Sequence, residues 1–112
     1  MQANTARIDP PEVVACTGAA EILRYQWLVR QVPLADDIAR LAVQLVRATR
    51  PSDAQAGELV RKYVRYGASL RATQFLALAA KARALMQGRY HVTTADLRAL
   101  ALPVLRHRVL VN

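Results

Sequence analysis

The sequence predicts an all-α fold, a four-helix bundle carrying two short extended segments and one shorter helix between the main ones. Three observations carry this reading. Apolar residues recur at helical spacing, most clearly Ile38, Leu41, Ala42, Leu45 and Val46, which follow i, i+3, i+4, i+7 and i+8. Helix-starting and helix-ending residues, mainly Pro, Gly, Ser and Thr, bracket the periodic stretches. The extended pieces, Val32-Pro33-Leu34 and Tyr90-His91-Val92, are only three residues each. A chain of 112 residues that is 54% hydrophobic and 21% charged has material for one domain with a core, and not for two.

Taken in order, residues 1–12 are polar, contain Pro10-Pro11, and read as an extended lead-in to a domain spanning 13–112. Thr17 can cap a first helix at 18–31, where Leu23, Trp27 and Leu28, with Ile22 or Val32, supply an apolar stripe. Pro33 lacks an N–H and biases Val32 toward extended backbone, which ends that helix. A second helix follows at 35–49. Asp36 and Asp37 in its first turn and Arg47 in its last complement the macrodipole. Pro51-Ser52 stops it, and residues 55–65 form a short helix through Leu59, Val60, Tyr63 and Val64, with Tyr63 placed in the core by its spacing. Gly67-Ala68-Ser69 breaks the chain, with Ser69 positioned to cap a long helix at 70–87. Phe75, Leu78, Ala79, Ala82, Leu85 and Met86 are its expected buried face, and Gly88 its left-handed terminator. Thr93-Thr94-Ala95-Asp96 resembles a capping box with Asp in the Glu position, opening a last helix at 94–106. Leu97, Leu100, Ala101, Val104 and Leu105 face inward, and Pro103 should kink it. The two extended pieces, each preceding a helix, could pair as a minimal ladder.

The net charge of +8 is unevenly placed. Residues 1–60 hold six basic and seven acidic side chains, a net of −1. Residues 61–112 hold ten basic ones and Asp96 as the only acid, a net of +9. Fourteen of the sixteen cations are Arg, the planar and bidentate partner of phosphate or carboxylate, so an anionic partner is expected. Cys16 is the only cysteine, so no internal disulfide can form and a reducing compartment is expected. One Cys with His91 and His107 cannot make a zinc site of the usual spacing. The N-terminus lacks a secretory pattern, and the apolar runs at 75–80 and 99–105 fall well short of a membrane span. Cytoplasmic residence and no membrane partner are therefore expected. The four glycines form no phosphate loop. No Ser/His/Asp set or carboxylate pair offers itself, so acid–base catalysis has little material.

Two clusters remain. Arg61, Lys62, Arg65, Tyr66, Gly67, Ala68, Ser69, Leu70 and Arg71 place a Gly-X-Ser break and an Arg at a helix start, where free amides and the dipole favour anions. The same pattern also suits a capped turn with a solvated Arg. Arg106-His107-Arg108 could touch nucleic acid or a partner domain, or could simply offset the dipole of the last helix. Tyr63, Tyr66 and Tyr90 could stack on bases. His91 reads as a surface residue.

The stretch Tyr63-Val64-Arg65-Tyr66-Gly67-Ala68-Ser69-Leu70-Arg71-Ala72 resembles the lid motif of MoxR-type AAA+ ATPases. Three other pieces resemble the same family in the same order. They are Val32-Pro33-Leu34 with Leu45-Val46-Arg47-Ala48-Thr49-Arg50-Pro51; Ala79-Ala80-Lys81-Ala82-Arg83-Ala84-Leu85 with Gly88-Arg89; and Val92-Thr93-Thr94-Ala95-Asp96-Leu97 with Pro103-Val104-Leu105-Arg106-His107-Arg108. The resemblance covers residues 20–112. It implies a helical C-terminal lid that follows an ATP-binding core and contacts the next subunit of a ring. It implies that Arg71 is the sensor-2 arginine, reaching over nucleotide toward the γ-phosphate, and that Gly67, Ala68 and Ser69 form the turn beside it. The family usually carries Pro where this chain has Leu70. ATP and Mg²⁺ are implied for the full-length parent. No cofactor and no catalysis are expected of this chain alone, because the phosphate loop, the metal-holding carboxylate and the sensor-1 residue belong to the core. Chaperone-like work on other complexes follows from the same resemblance, with partners bearing von Willebrand factor A domains. The alternative, resting on the +9 half and the Arg bias, is a small basic helical module that binds nucleic acid, with a histone-like arrangement as a variant of it. The lopsided charge makes a nucleotide phosphate the expected anion, not a polymer.

Overall fold

A computed structural model describes residues 12–112; the lead-in expected at 1–12 lies, for 1–11, outside the described residues. The fold class is the predicted one. Among the described residues, five helices pack in a bundle: α1 (Ala19–Arg30), α2 (Asp36–Ala48), α3 (Glu58–Tyr63), α4 (Arg71–Met86) and α5 (Thr94–Leu105). Two short strands, β1 (Val64–Tyr66) and β2 (Leu110–Val111), complete the order, β1 following α3 and β2 closing the chain.

α4 is the central element. It packs against α1, α2 and α5. Its buried face is Ala72, Leu76, Ala80 and Ala84, a strict i+4 series of small residues around one Leu. This corrects the expected face, since Phe75, Leu78 and Met86 are exposed. Residues 75–80 are apolar on every side of the helix, so periodicity could not choose a face there. Close approach of the neighbouring helices chose the alanines. α2 buries Ala42 and Val46, with Ile38, Leu41 and Leu45 packed beside them, as its spacing predicts. α5 contributes Leu97 and Leu105.

The irregular segments do work that the sequence reading assigned to strands. Val32 and Val92 are core plugs, 1% and 5% exposed, and neither belongs to a ladder. The ladder forms elsewhere: β1 and β2 run antiparallel, with Val64 opposite Val111 and Tyr66 opposite Leu110. Asn112 extends it, its N–H donating to the Tyr63 carbonyl at 2.8 Å and its side-chain amide to the Lys62 carbonyl at 3.1 Å. The C-terminus is thereby tied to the segment just before the Gly67 turn.

The helix ends refine the expected caps. Gly18, not Thr17, is the N-cap of α1, and the Thr17 hydroxyl donates instead to Glu21 at 2.6 Å. Ser69 does not cap α4 through its side chain. Leu70 occupies that N-cap in helical conformation, and the Ser69 carbonyl accepts the Ala72 N–H at 3.0 Å. Gly88 has φ +77 and closes α4 in a Schellman motif. The Arg89 N–H reaches the Ala84 carbonyl at 2.8 Å, and the Gly88 N–H reaches that of Leu85 at 2.9 Å. Pro103 lies inside α5, which runs on to Leu105.

α1 stands apart energetically. No residue within it is buried; Ile22, Leu23 and Trp27 are exposed, against the stripe expected to pack. Its C-terminal end is held by Val32, by the Tyr90 hydroxyl donating to the Gln31 carbonyl at 3.3 Å, and by Lys81 Nζ donating to the Arg30 carbonyl at 3.4 Å.

Candidate functional site

The turn that leads into α4 is fastened to the end of α2. A Cβ added at Gly67 would meet the Thr49 carbonyl and lie 2.6 Å from the Arg50 Cα, so only glycine allows the two backbones to touch. The Ala68 N–H donates to Thr49 Oγ1 at 3.0 Å, and that hydroxyl in turn donates to the Val46 carbonyl at 2.6 Å. Ala68 and Ala72 are buried with Val46 and Leu105 in a second core cluster. Thr49 thus acts as a rivet between α2 and the turn. The sequence reading missed it, because a Thr at a helix end is read first as a terminator.

Three of the four expected site residues sit where the turn puts them. Gly67 is half-buried, Ala68 is buried and Ser69 is exposed. Arg71, the first residue of α4, is exposed. It joins no ion pair among the described residues, where the pairs found are Arg47–Asp53, Arg83–Asp96 and Arg89–Asp96. One residue later Ala72 is fully packed, and Leu76 follows one turn on, so the base of the Arg71 side chain is fixed while its guanidinium faces outward. Leu70 has φ −61, within the range a proline ring would impose. A proline in place of Leu70 would suit the same backbone.

A buried charge centre holds the opposite end of α4. Asp96 is fully buried on the first turn of α5. Arg89 grips it bidentately, Nη2 to Oδ1 at 2.6 Å and Nη1 to Oδ2 at 2.8 Å, and Arg83 Nη1 adds a third contact at 2.6 Å. The Thr93 N–H donates to Oδ2 at 2.8 Å, forming the predicted capping box, and the Thr93 hydroxyl donates to the same oxygen at 3.2 Å. The Arg89 hydrogen bonds hold the Asp96 carboxyl far below the usual carboxylate range, against the opposing effect of burial. The sequence reading placed Asp96 as a cap and missed the two arginines. The available signal was arithmetic: a lone acid among ten cations has partners at hand.

Two arginines of the C-terminal cluster bond to the end of α5. Arg106 Nε donates to the Leu102 carbonyl at 3.4 Å and Arg108 Nη1 to the Val104 carbonyl at 2.6 Å, both serving the last turn of α5. Arg108 also lies 4.8 Å from the Phe75 ring centroid, tying the tail to α4. Tyr63 is exposed and not a core residue, because β1 begins immediately after it and turns its face outward. No group of three or more His, Cys, Asp or Glu able to hold a metal occurs among the described residues, and none of their helices is long and apolar enough to cross a membrane.

Comparison with known proteins agrees with this geometry. The family model described as the AAA lid domain matches residues 56–111, which include β1, the Gly67 turn, α4 and α5. Chaperone MoxR1 of Mycobacterium tuberculosis is 29% identical over 105 residues, covering 94% of this chain and 28% of that protein. A crystal structure of a candidate ATPase from Cytophaga hutchinsonii matches with a TM-score of 0.76 at 32% identity, covering 83% of this chain and 28% of that one. The chain thus spans little more than a quarter of the length of either relative. With the family model matching half of its length, the chain belongs to the AAA lid domain family, in its MoxR type.

Proposed function

We propose that this chain serves as the C-terminal lid of a MoxR-like AAA+ ATPase and that Arg71 is its sensor-2 arginine. The observation that carries the reading is the placement of Arg71. It is an exposed guanidinium, in no ion pair among the described residues, at the start of a helix whose next residue is locked into the core. Such a group presents a planar set of donors to phosphate oxygens from a fixed backbone position, and it stays charged at every physiological pH. Gly67, Ala68 and Ser69 hold that helix start against the end of α2, beside the nucleotide in this reading. The donors this chain offers are cationic and suit phosphate, not Mg²⁺. The metal and the rest of the ATP site fall to a core domain preceding this chain, and the chain alone is not catalytic.

On the same reading, residues 13–112 form one lid unit that contacts its own core and the neighbouring subunit of a ring in the cytoplasm. The M. tuberculosis relative is named a chaperone, which supports a role in remodelling other proteins. A partner with a von Willebrand factor A domain is part of this proposal.

The test is steady-state ATP turnover by the full-length parent. Arg71→Ala should lower kcat by roughly ten- to a hundredfold, the loss of one charge-assisted contact of about 1.5–3 kcal/mol. Unchanged turnover in a correctly assembled variant would overturn the assignment.

A further inference from the structure

The exposed cations around β1 join no ion pair among the described residues, and two of them lie over tyrosine rings. Lys62 Nζ lies 5.2 Å from the Tyr63 ring centroid, and the Arg65 guanidinium carbon lies 5.4 Å from that of Tyr66. All four side chains are exposed, as are Arg50 and Arg61 beside them. Arg50, Pro51, Ser52, Arg65, Tyr66 and Gly67 line one shallow cleft between the α2–α3 loop and β1. No ion pair among the described residues involves any of these cations; Asp53, the acid of that loop, is taken by Arg47 at 3.0 Å. Asp53 Oδ1 also accepts the Gln55 N–H at 2.9 Å, which fixes the loop that carries Arg50.

We propose that this cleft is a docking site for an acidic segment of a partner polypeptide, whose carboxylates are received by Arg50 and Arg65. Three features favour that partner. Arg50 and Arg65 join no ion pair among the described residues, so their charge is open to an acidic partner. Arg presents a planar fork that a carboxylate fills with two hydrogen bonds, and stacking on Tyr66 already restricts Arg65, lowering the entropy lost on pairing. Tyr and Arg together are also the composition of residues that dominate binding energy in protein interfaces. A single-stranded nucleic acid could use the same cations and the open faces of Tyr63 and Tyr66, and it is the competing outcome of the test. The cleft shares Gly67 with the turn that leads to Arg71, but peptide binding is read without nucleotide, so its failure and that of the nucleotide reading are distinguishable.

The test is fluorescence anisotropy of the 112-residue chain with two labelled probes at moderate salt, an alternating Asp/Glu decapeptide and an oligo-dT of similar charge. The peptide should bind more tightly than the oligonucleotide. Arg50→Glu with Arg65→Glu should weaken peptide binding by about tenfold or more, as loss of charged anchors does. Arg98→Glu, an exposed charge reversal on α5, should change it by less than about twofold, the size expected of a peripheral charge. An unshifted thermal midpoint in the double variant shows that the fold is intact. Peptide binding indifferent to the double reversal would overturn the proposal, as would an oligonucleotide that binds more tightly and displaces the peptide.

Discussion

At Gly67 an added methyl group would press on the backbone of Thr49 and Arg50, and neither can move without unwinding the end of α2. Gly67→Ala should therefore destabilise the chain by about 1–3 kcal/mol, as overpacking against backbone does, and lower the thermal midpoint by several degrees. Leu70 offers the opposite case. Its φ of −61 already suits proline, its side chain is exposed, and its N–H makes no backbone hydrogen bond among the described residues. Leu70→Pro should raise stability by about 0.4–1 kcal/mol by narrowing the unfolded ensemble, measurable as a higher urea midpoint at constant m-value. Both substitutions act on the placement of Arg71, one by loosening its support and the other by stiffening it. Arg71 itself was legible in the sequence as a cation at a helix start after a Gly-X-Ser break. Thr49 was not, because its hydroxyl acts on a residue nineteen positions away.

Among the elements, α2 could be read from its sequence because Ile38, Leu41, Ala42, Leu45 and Val46 leave only one apolar face to bury. α4 could not, because apolar residues surround it, and the choice of the Ala72, Leu76, Ala80 and Ala84 face depends on which neighbours approach. The β1–β2 ladder was illegible for a different reason. It is three residues against two, and it joins segments far apart in the chain. The bond between α4 and α5 is electrostatic as well as apolar, and Asp96 carries it. Removing a buried carboxylate from two arginines costs about 3–5 kcal/mol, so Asp96→Ala should be poorly folded and Asp96→Asn clearly destabilised. The sign of the pH effect follows from the direction of the shift. The folded carboxyl titrates below its unfolded value, so its contribution is complete above the unfolded value of about 4 and is lost as the pH falls further. Thermal midpoints of the wild-type chain should drop steeply below about pH 4, and those of Asp96→Asn should drop less over the same interval. α1 carries a built-in probe. Trp27 is the only tryptophan and is exposed, so in the isolated chain its emission should be red-shifted and readily quenched by iodide.

At the scale of the whole molecule, the charge asymmetry resolves into separate tasks. Within the basic half, Arg83 and Arg89 neutralise Asp96 inside the fold, and Arg106 and Arg108 close α5. The outward-facing cations around β1 and at Arg71 are left for partners. Composition alone announced an anionic partner, and the two proposals divide that expectation between a nucleotide phosphate at Arg71 and carboxylates at the β1 cleft. The lid proposal makes a direct statement about the first. A guanidinium held at the start of a rigid helix and aimed at the γ-phosphate should distinguish a triphosphate from a diphosphate. The decisive measurement is the affinity of the full-length parent for a non-hydrolysable ATP analogue and for ADP, with and without Arg71→Ala. The account predicts that the substitution weakens the analogue by roughly tenfold or more, the worth of one charge-assisted contact, while leaving ADP nearly unaffected. If both affinities fall together, or neither changes, Arg71 does not sense the γ-phosphate and the central claim is contradicted.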